Sequence, residues 1–302
     1  MVSTLIKVAK WGRASQPFNG LATSTLKTFL KATRLHSEFI IKHLPRSGVA
    51  ASKLPNGRLL RLRSHGDDWI STQVFWREWF GYEPETAPLF YRLATRARVT
   101  LDVGAHIGFY ALLAAHANPD GSVYAFEPMP VTYKRLERNI ELNKLTNVYC
   151  INSALGESEG EADIFFEGEI CSGATLSTEI KRLIPTLNSS AVPVITLDGF
   201  VREKALEYID LVKIDTETTE EQVLLGMSES LERFHPNIIC EVWGGEGMEN
   251  WGGPKRIMDN ILTRLGYRCY VFTPDGLVPY EEGNENLNYL FTTLNPDEVS
   301  QL

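Results

Sequence analysis

Two carboxylates and two glycines lie close enough in this sequence to build one ligand site: Asp102, Gly104, Gly108 and Glu127. The run Val-Thr-Leu-Asp-Val-Gly-Ala-His-Ile-Gly-Phe-Tyr over 99–110 opens with alternating and β-branched apolar residues. It breaks into small residues and resumes as an apolar helical run to Ala115, so it reads as a strand, a tight turn and a helix start. Glycines in such a turn let the backbone bend sharply and come close to a ligand. Asp102 falls at the carboxyl end of the strand, the rim where open α/β sheets bind their ligands. The next strand, 122–127, ends in Glu127 and is followed at once by Pro128. An acid placed there can accept hydrogen bonds from both hydroxyls of a ribose. These residues describe a nucleoside site.

Spacing narrows the nucleoside. A dinucleotide site wants Gly-x-Gly-x-x-Gly, whose middle glycine lets a pyrophosphate rest on a helix N-terminus. Here Ala105 and His106 stand between Gly104 and Gly108, and no third glycine follows. Glu127 lies 127 − 108 = 19 residues past the second glycine, so the ribose acid is present while the phosphate cradle is incomplete. Asp102 would also repel a pyrophosphate. The amino acid and sulfonium of S-adenosylmethionine suit this acidic turn better. A helix-capping Asp102 with a solvated Glu127 is the plainer alternative.

The elements that must position these residues follow from the pattern on either side. Strands at 99–103, 122–127, 147–152, 209–215, 237–243, 267–273 and 288–292 alternate with helical stretches, which implies a doubly wound, mostly parallel sheet. Ser153 and Ala154 follow the third strand at the rim where an adenine edge would sit. Pro130 starts a helix to about Lys144, with Tyr133, Leu136 and Ile140 on one face. Asn139 and Asn143 are one turn apart in it, placed to hold neighbouring loops. A strand at 160–166, a polar cover at 167–190 and an edge strand at 192–196 come next. Lys213, Asp215 and Glu217 share one side of the fourth strand's end. A single helix is expected from about 218 to 234, and another from 254 to 265. Upstream, 21–44 has helical apolar spacing, and Asn56-Gly57 marks a hairpin turn. The stretch 67–81 is rich in aromatics, and a helix is expected over 87–97. We place a basic, mostly helical extension at 1–50 and a Rossmann-like domain at 51–302, its core starting near 82.

Composition sets limits. With 43% hydrophobic and 23% charged residues the chain has the balance of a soluble globular enzyme. No apolar run is long enough to cross a bilayer. The start has neither the continuous apolar stretch nor the cleavage site of a signal peptide. Cys150, Cys171, Cys240 and Cys269 show no CxxC spacing, which suggests neither zinc nor a disulfide framework and points to a reduced, cytoplasmic protein. Residues 1–46 hold eight Lys and Arg against one acid, Glu38, while the whole chain carries −8, so the rest is strongly acidic. That excludes nucleic acid as the main partner. The basic start suits a helix packed on the core or on a twin subunit, with contact to an anionic membrane face as the alternative.

From about 82 to 292 the sequence resembles the FkbM family of S-adenosylmethionine-dependent methyltransferases. The resemblance is carried by LDVGAHIGFY (101–110), VYAFEP (123–128), RLERNIELN (135–143), ALGESEGEADIFF (154–166), VITLDGF (194–200), LVKIDTE (211–217) and NIICEVW (237–243) in this order. It implies a class I methyltransferase fold of seven strands, the last antiparallel, and O-methylation of a hydroxyl on a sugar, glycoside or natural-product intermediate. Under it, Asp102 and the Gly104–Gly108 turn, with Ala105 and His106, would hold the methionine part of the cofactor. Glu127 and Pro128 would meet the ribose, and Asn152, Ser153 and Ala154 would border the adenine. Family members commonly follow the fourth strand with Asp-x-Glu-Gly. This chain has Thr218 in place of the glycine, so the turn there is expected to differ, a β-branched residue being ill suited to positive φ.

The donor is already activated, so the protein has to align a hydroxyl, exclude water and take up a proton late in the reaction. Asp215 is the first candidate base, followed by Lys213, Glu217, Glu241 and His106. Asp215, Glu217 and Glu241 could also hold Mg²⁺. Solvated carboxylates explain them more simply, and no metal ligand is assigned. The expected partner is a small-molecule hydroxyl acceptor, with a homodimer compatible with the basic start. Two other classes fit parts of the pattern: an NAD(P)-dependent oxidoreductase of Rossmann fold, and a silent methyltransferase-fold scaffold suggested by Thr218. The acceptor pocket is expected to form from 67–85, 167–190 and 244–253.

Overall fold

The computed structural model describes residues 16–33, 44–168, 173–243, 253–283 and 286–302. Its first element is helix α1 (Gln16–Thr33). The 34–43 part of the expected amphipathic stretch lies outside the described residues, as do Cys171 and the glycine-rich loop 244–252. Strands β1 (Ser47–Lys53) and β2 (Leu59–His65) then pair antiparallel around Asn56-Gly57. β1 crosses residue 50, so the boundary expected there falls inside a strand.

Asp68 caps α2 (Trp69–Arg77) by accepting from the Ser71 N–H at 2.7 Å. After α3 (Thr86–Ala94) come β3 (Val99–Val103), α4 (Phe109–Ala117), β4 (Ser122–Phe126), α5 (Pro130–Asn143) and β5 (Val148–Ile151). β6 (Ala154–Leu155), β7 (Gly160–Phe166), α6 (Thr178–Leu183) and β8 (Asn188–Ile195) follow. β8 is not an edge strand, as its Pro193 had suggested. It lies between β6 and β7 in a separate three-stranded sheet.

The remainder is α7 (Leu197–Lys204), β9 (Leu211–Ile214), α8 (Glu220–Leu225), α9 (Ser228–Phe234), β10 (Asn237–Glu241), helical turns over 253–265, β11 (Arg268–Thr273), β12 (Gly276–Pro279) and β13 (Asn288–Thr292). The single helix expected over 218–234 is two helices. Asp198 accounts for the break: its carboxylate accepts from the Glu229 and Ser230 N–H groups at 3.0 and 2.9 Å and so starts α9 afresh.

The main sheet runs β12-β11-β13-β10-β9-β3-β4-β5. β10, β9, β3, β4 and β5 are parallel, and β13 is antiparallel to β10 and to β11. The expected seven strands with the last antiparallel are therefore present, with β12 as an additional edge strand. Every residue of β3 and β9 is buried, which explains their near-continuous apolar runs. One apolar core packs α3, α4 and the β1–β2 hairpin on one face, and a second packs α7, α8 and α9 on the other. Among the described residues no helix is long and apolar enough to cross a membrane.

Asn139 and Asn143 fasten the hairpin to this frame. Asn139 Oδ1 accepts from the Arg63 N–H at 2.8 Å while its amide donates to the Ile107 carbonyl at 2.8 Å. Asn143 accepts from the Arg61 N–H at 2.9 Å and donates to the Arg61 carbonyl. Two side chains on α5 thus complete the open edge of β2, as their one-turn spacing suggested.

Candidate active site

A single turn between β3 and α4 sets the geometry. Gly104 has φ +80°, and a Cβ there would collide with the Asp215 carbonyl oxygen at the end of β9. Gly108 has φ +92°, and its missing side chain leaves room for Leu136 of α5. Both positions require glycine for steric reasons. The turn spends its own N–H groups: those of Gly104 and Ala105 donate to the Phe126 carbonyl, and that of His106 donates to Glu127 Oε2 at 2.8 Å. None of these donors is left to cradle a phosphate.

The two acids are held with equal care. Asp102 is 2% exposed, and its Oδ2 accepts from the Ala111 N–H at 2.8 Å in the first turn of α4. The capping role considered as the plainer alternative is therefore real, yet the residue also borders the cavity. Glu127 accepts from Met129 N–H at 2.9 Å on its other oxygen. Burial pushes both carboxyls up to about 7; Lys213 and the Ala111 N–H work against this for Asp102, the Met129 and His106 N–H groups for Glu127.

A cavity of about 370 Å³ opens at the carboxyl ends of β3, β4, β9 and β10. Asp102, Gly104, Ala105, His106, Glu127 and Pro128 border it, as do Ser153, Ala154, Lys213, Asp215, Glu217 and Glu241. Two of the residues expected at the cofactor do not. Gly108 faces Leu136, and the Asn152 carboxamide donates to the Glu127 and Pro128 carbonyls at 2.8 and 3.0 Å. Asn152 therefore holds the loop after β4 and does not border the cavity itself.

At the far wall Lys213 is fully buried, with its Nζ 3.7 Å from Asp215 Oδ2 and 5.2 Å from the centre of the Tyr110 ring. Burial opposes its charge, but Asp215, Glu83 and Glu241 together hold its pKa above the ordinary lysine value. Burial, then the charge of Asp215, raises Glu217 to about 8 and Glu241 to about 8. Burial lowers His106, whose two ring nitrogens meet no partner.

The turn after β9 differs from expectation. Glu217 and Thr218 both adopt positive φ, +53° and +84°. The β-branched residue therefore keeps the left-handed backbone a glycine would supply. Glu220 Oε1 enforces it by accepting from Thr216 N–H, Thr216 Oγ1 and Thr218 N–H, while the Thr175 hydroxyl donates to the Glu217 carbonyl.

Two residues behind this wall had no sequence signal, Glu83 and Asn288. Glu83 Oε2 accepts from the Tyr110 hydroxyl at 2.6 Å and from Asn288 Nδ2 at 3.2 Å. Glu83 and Asn288 are 205 positions apart, and no local pattern links them. The aromatic stretch does reach the cavity, through Trp69 and Tyr82, and the cover contributes Ala174 and Leu176.

The strand order, with a cavity at the carboxyl ends of the parallel strands, is that of a class I methyltransferase of Rossmann-like fold. Residues 102–269 match the model of the methyltransferase FkbM domain, and the chain belongs to that family. It is 26% identical over 194 residues to Methyltransferase 1 of Beauveria bassiana, covering 59% of this chain and 76% of that one. It is also 26% identical over 227 residues to 31-O-demethyl-FK506 methyltransferase FkbM of Streptomyces tacrolimicus, covering 66% and 84%. A crystal structure of Methyltransferase FkbM from Methylobacillus flagellatus shares 12% identity with a TM-score of 0.42, covering 75% of this chain and 55% of that one. The fold assignment stands on the strand order and the family match.

Proposed function

We propose that this methyltransferase uses S-adenosylmethionine to methylate a hydroxyl oxygen of a small molecule. The observation that carries the reading is the convergence on one cavity of the Gly104 turn, Glu127 and the acids around Lys213. The cofactor's fit is supported by a turn whose N–H groups are already engaged, which suits a donor without a pyrophosphate, and by two buried acids bordering the same cavity. When bound, S-adenosylmethionine supplies a methyl group on a positively charged sulfur.

The chain's own residues do the rest. Glu127, fixed by two backbone N–H groups, keeps lone pairs for the ribose hydroxyls. Asp102 and the 104–106 turn border the methionine part, Pro128 stands beside Glu127 at the ribose, and Ser153 and Ala154 border the adenine. Asp215 is engaged with Lys213. We therefore assign the base to Glu217, which lines the cavity and, at about 8, ionises to a carboxylate able to take a proton as pH rises past neutrality. Lys213 lowers the cost of gathering several acids at the acceptor end.

The relative from Streptomyces tacrolimicus is named for methylating an O-demethyl compound, which supports oxygen as the target. The oxidoreductase reading has no support left beside the family match, and the scaffold reading loses its basis because Thr218 keeps the left-handed turn. Calorimetry with S-adenosylhomocysteine tests the donor site: binding that Glu127→Ala abolishes is expected, and absence of binding to the unaltered protein overturns the proposal. Labelled methyl transfer to a panel of hydroxyl-bearing sugars and polyketides tests the acceptor class.

A further inference from the structure

Three carboxylates from distant parts of the chain meet at the inner wall of the cavity. Glu83 precedes α3, Asp215 ends β9 and Glu241 ends β10, and each presents one oxygen so that all three lie within 4.8 Å of one another. Glu217, which the sequence grouped with Asp215 and Glu241, is not in this set. Among the described residues Lys213 is the ammonium that Asp215, Glu83 and Glu241 act on, so three carboxylates when ionised leave a surplus of negative charge.

A second observation comes from the opposite end of the chain. Asn288 is only 9% exposed and is the cross-strand partner of Glu241 in the β10–β13 pair. Its Nδ2 donates to Glu83 Oε2 at 3.2 Å, which fixes the carboxamide against that acid. That leaves Asn288 Oδ1 and Glu83 Oε1 buried and without a hydrogen bond among the described residues, with the Tyr82 hydroxyl close to Glu83. Buried acceptors of this kind are satisfied in proteins by a donor, a water or an ion.

The chemistry of the set selects among these. Among the described residues every group in the set is a carboxylate or amide oxygen, the ligand type of hard divalent cations. Asp215 and Glu241 line the cavity while Glu83 and Asn288 do not, so a bulky acceptor in the cavity would meet only the first two. We propose that Glu83, Asp215, Glu241 and the carboxamide oxygen of Asn288 form a binding site for a hard divalent cation at the inner wall of the cavity. The site goes beyond the methyl-transfer reading and does not depend on it, because an ion can be bound there with neither donor nor acceptor present.

The test is a titration of the full-length, chelator-treated protein with Mn²⁺, read by the loss of the free-ion electron paramagnetic resonance signal. Saturable binding that Mg²⁺ or Ca²⁺ displaces is expected. Glu241→Gln and Asn288→Leu should each weaken it by at least about tenfold, while Glu217→Gln keeps the affinity. Thermal melts confirm that each variant is folded; should Asn288→Leu not fold, the near-isosteric Glu83→Gln and Glu241→Gln carry the test. Absence of saturable binding overturns the proposal, as does an affinity unchanged in Glu83→Gln and Glu241→Gln, or one that Glu217→Gln reduces as much as they do. Protein that binds S-adenosylhomocysteine but no Mn²⁺ overturns the cation site and leaves the donor reading intact; the reverse result separates them the other way.

Discussion

The carboxylate of Glu127 holds the backbone N–H of His106 at 2.8 Å, so the acid ending β4 and the glycine turn after β3 move as one unit. His106 is itself held at φ +50°, outside the range a histidine prefers, and this bond is part of what keeps it there. A ligand that needs both parts meets them already assembled.

Protonation of that unit sets a pH dependence. Glu127 and Asp102 are raised to about 7, and Glu217 and Glu241 to about 8. Each binds its proton more tightly folded than unfolded. The stability it contributes is full below the unfolded carboxylate range, near about 4, and is lost as pH rises through the folded value. The unliganded protein should therefore resist denaturant better near about pH 5.5 than near about pH 8.5. Glu127→Gln should shrink the difference. Denaturant midpoints at the two pH values check this, and an equal dependence in both proteins contradicts it.

Thr218 in the left-handed region stores strain that a glycine would release. Thr218→Gly should raise stability by about 1 kcal/mol, the gain in backbone fit outweighing the entropy of a freer chain. Glu220→Gln should act in the opposite direction, since one carboxylate oxygen accepts all three bonds that close the turn. Equilibrium unfolding of the two variants measures both signs.

Asn139 is fully buried and joins Arg63 of β2 to Ile107 of the glycine turn. Asn139→Ala strands an N–H and a carbonyl at once, and should cost about 2–3 kcal/mol. Because Ile107 adjoins His106, affinity for S-adenosylhomocysteine should fall as well. Denaturation and calorimetry on the same sample check the two effects; a loss of stability with unchanged affinity would show that the turn is held independently of the hairpin.

Gly104→Ala drives a methyl group into the Asp215 carbonyl across the β3–β9 pair. S-adenosylhomocysteine binding should be lost, because the only relief is to move the two strand ends that frame the cavity. Calorimetry reads the result, and retained affinity would show that the strand ends yield easily.

Much of this was legible in local pattern. The central strands were readable because β3 and β9 are buried on both faces, so their apolar runs are nearly continuous. The glycine turn and the acid of β4 sit within one strand-turn-helix-strand unit, which places them at one rim. What failed was non-local. Asp198 splits the helix expected over 218–234 from thirty residues upstream, and Pro193 suggested an edge although β8 has a neighbour on each side. Asn152 has the residue type and position of an adenine contact, but its amide is taken by two carbonyls. Glu83 and Asn288 carry no local signature, since their meaning arises only when the chain's two ends close on one another.

That closure limits which part of the chain can act alone. Residues 102–269 hold the glycine turn and the acids of the sheet, whereas Glu83 lies before that segment and Asn288 after it. A graft of the segment onto another scaffold would carry a socket lacking its back plate.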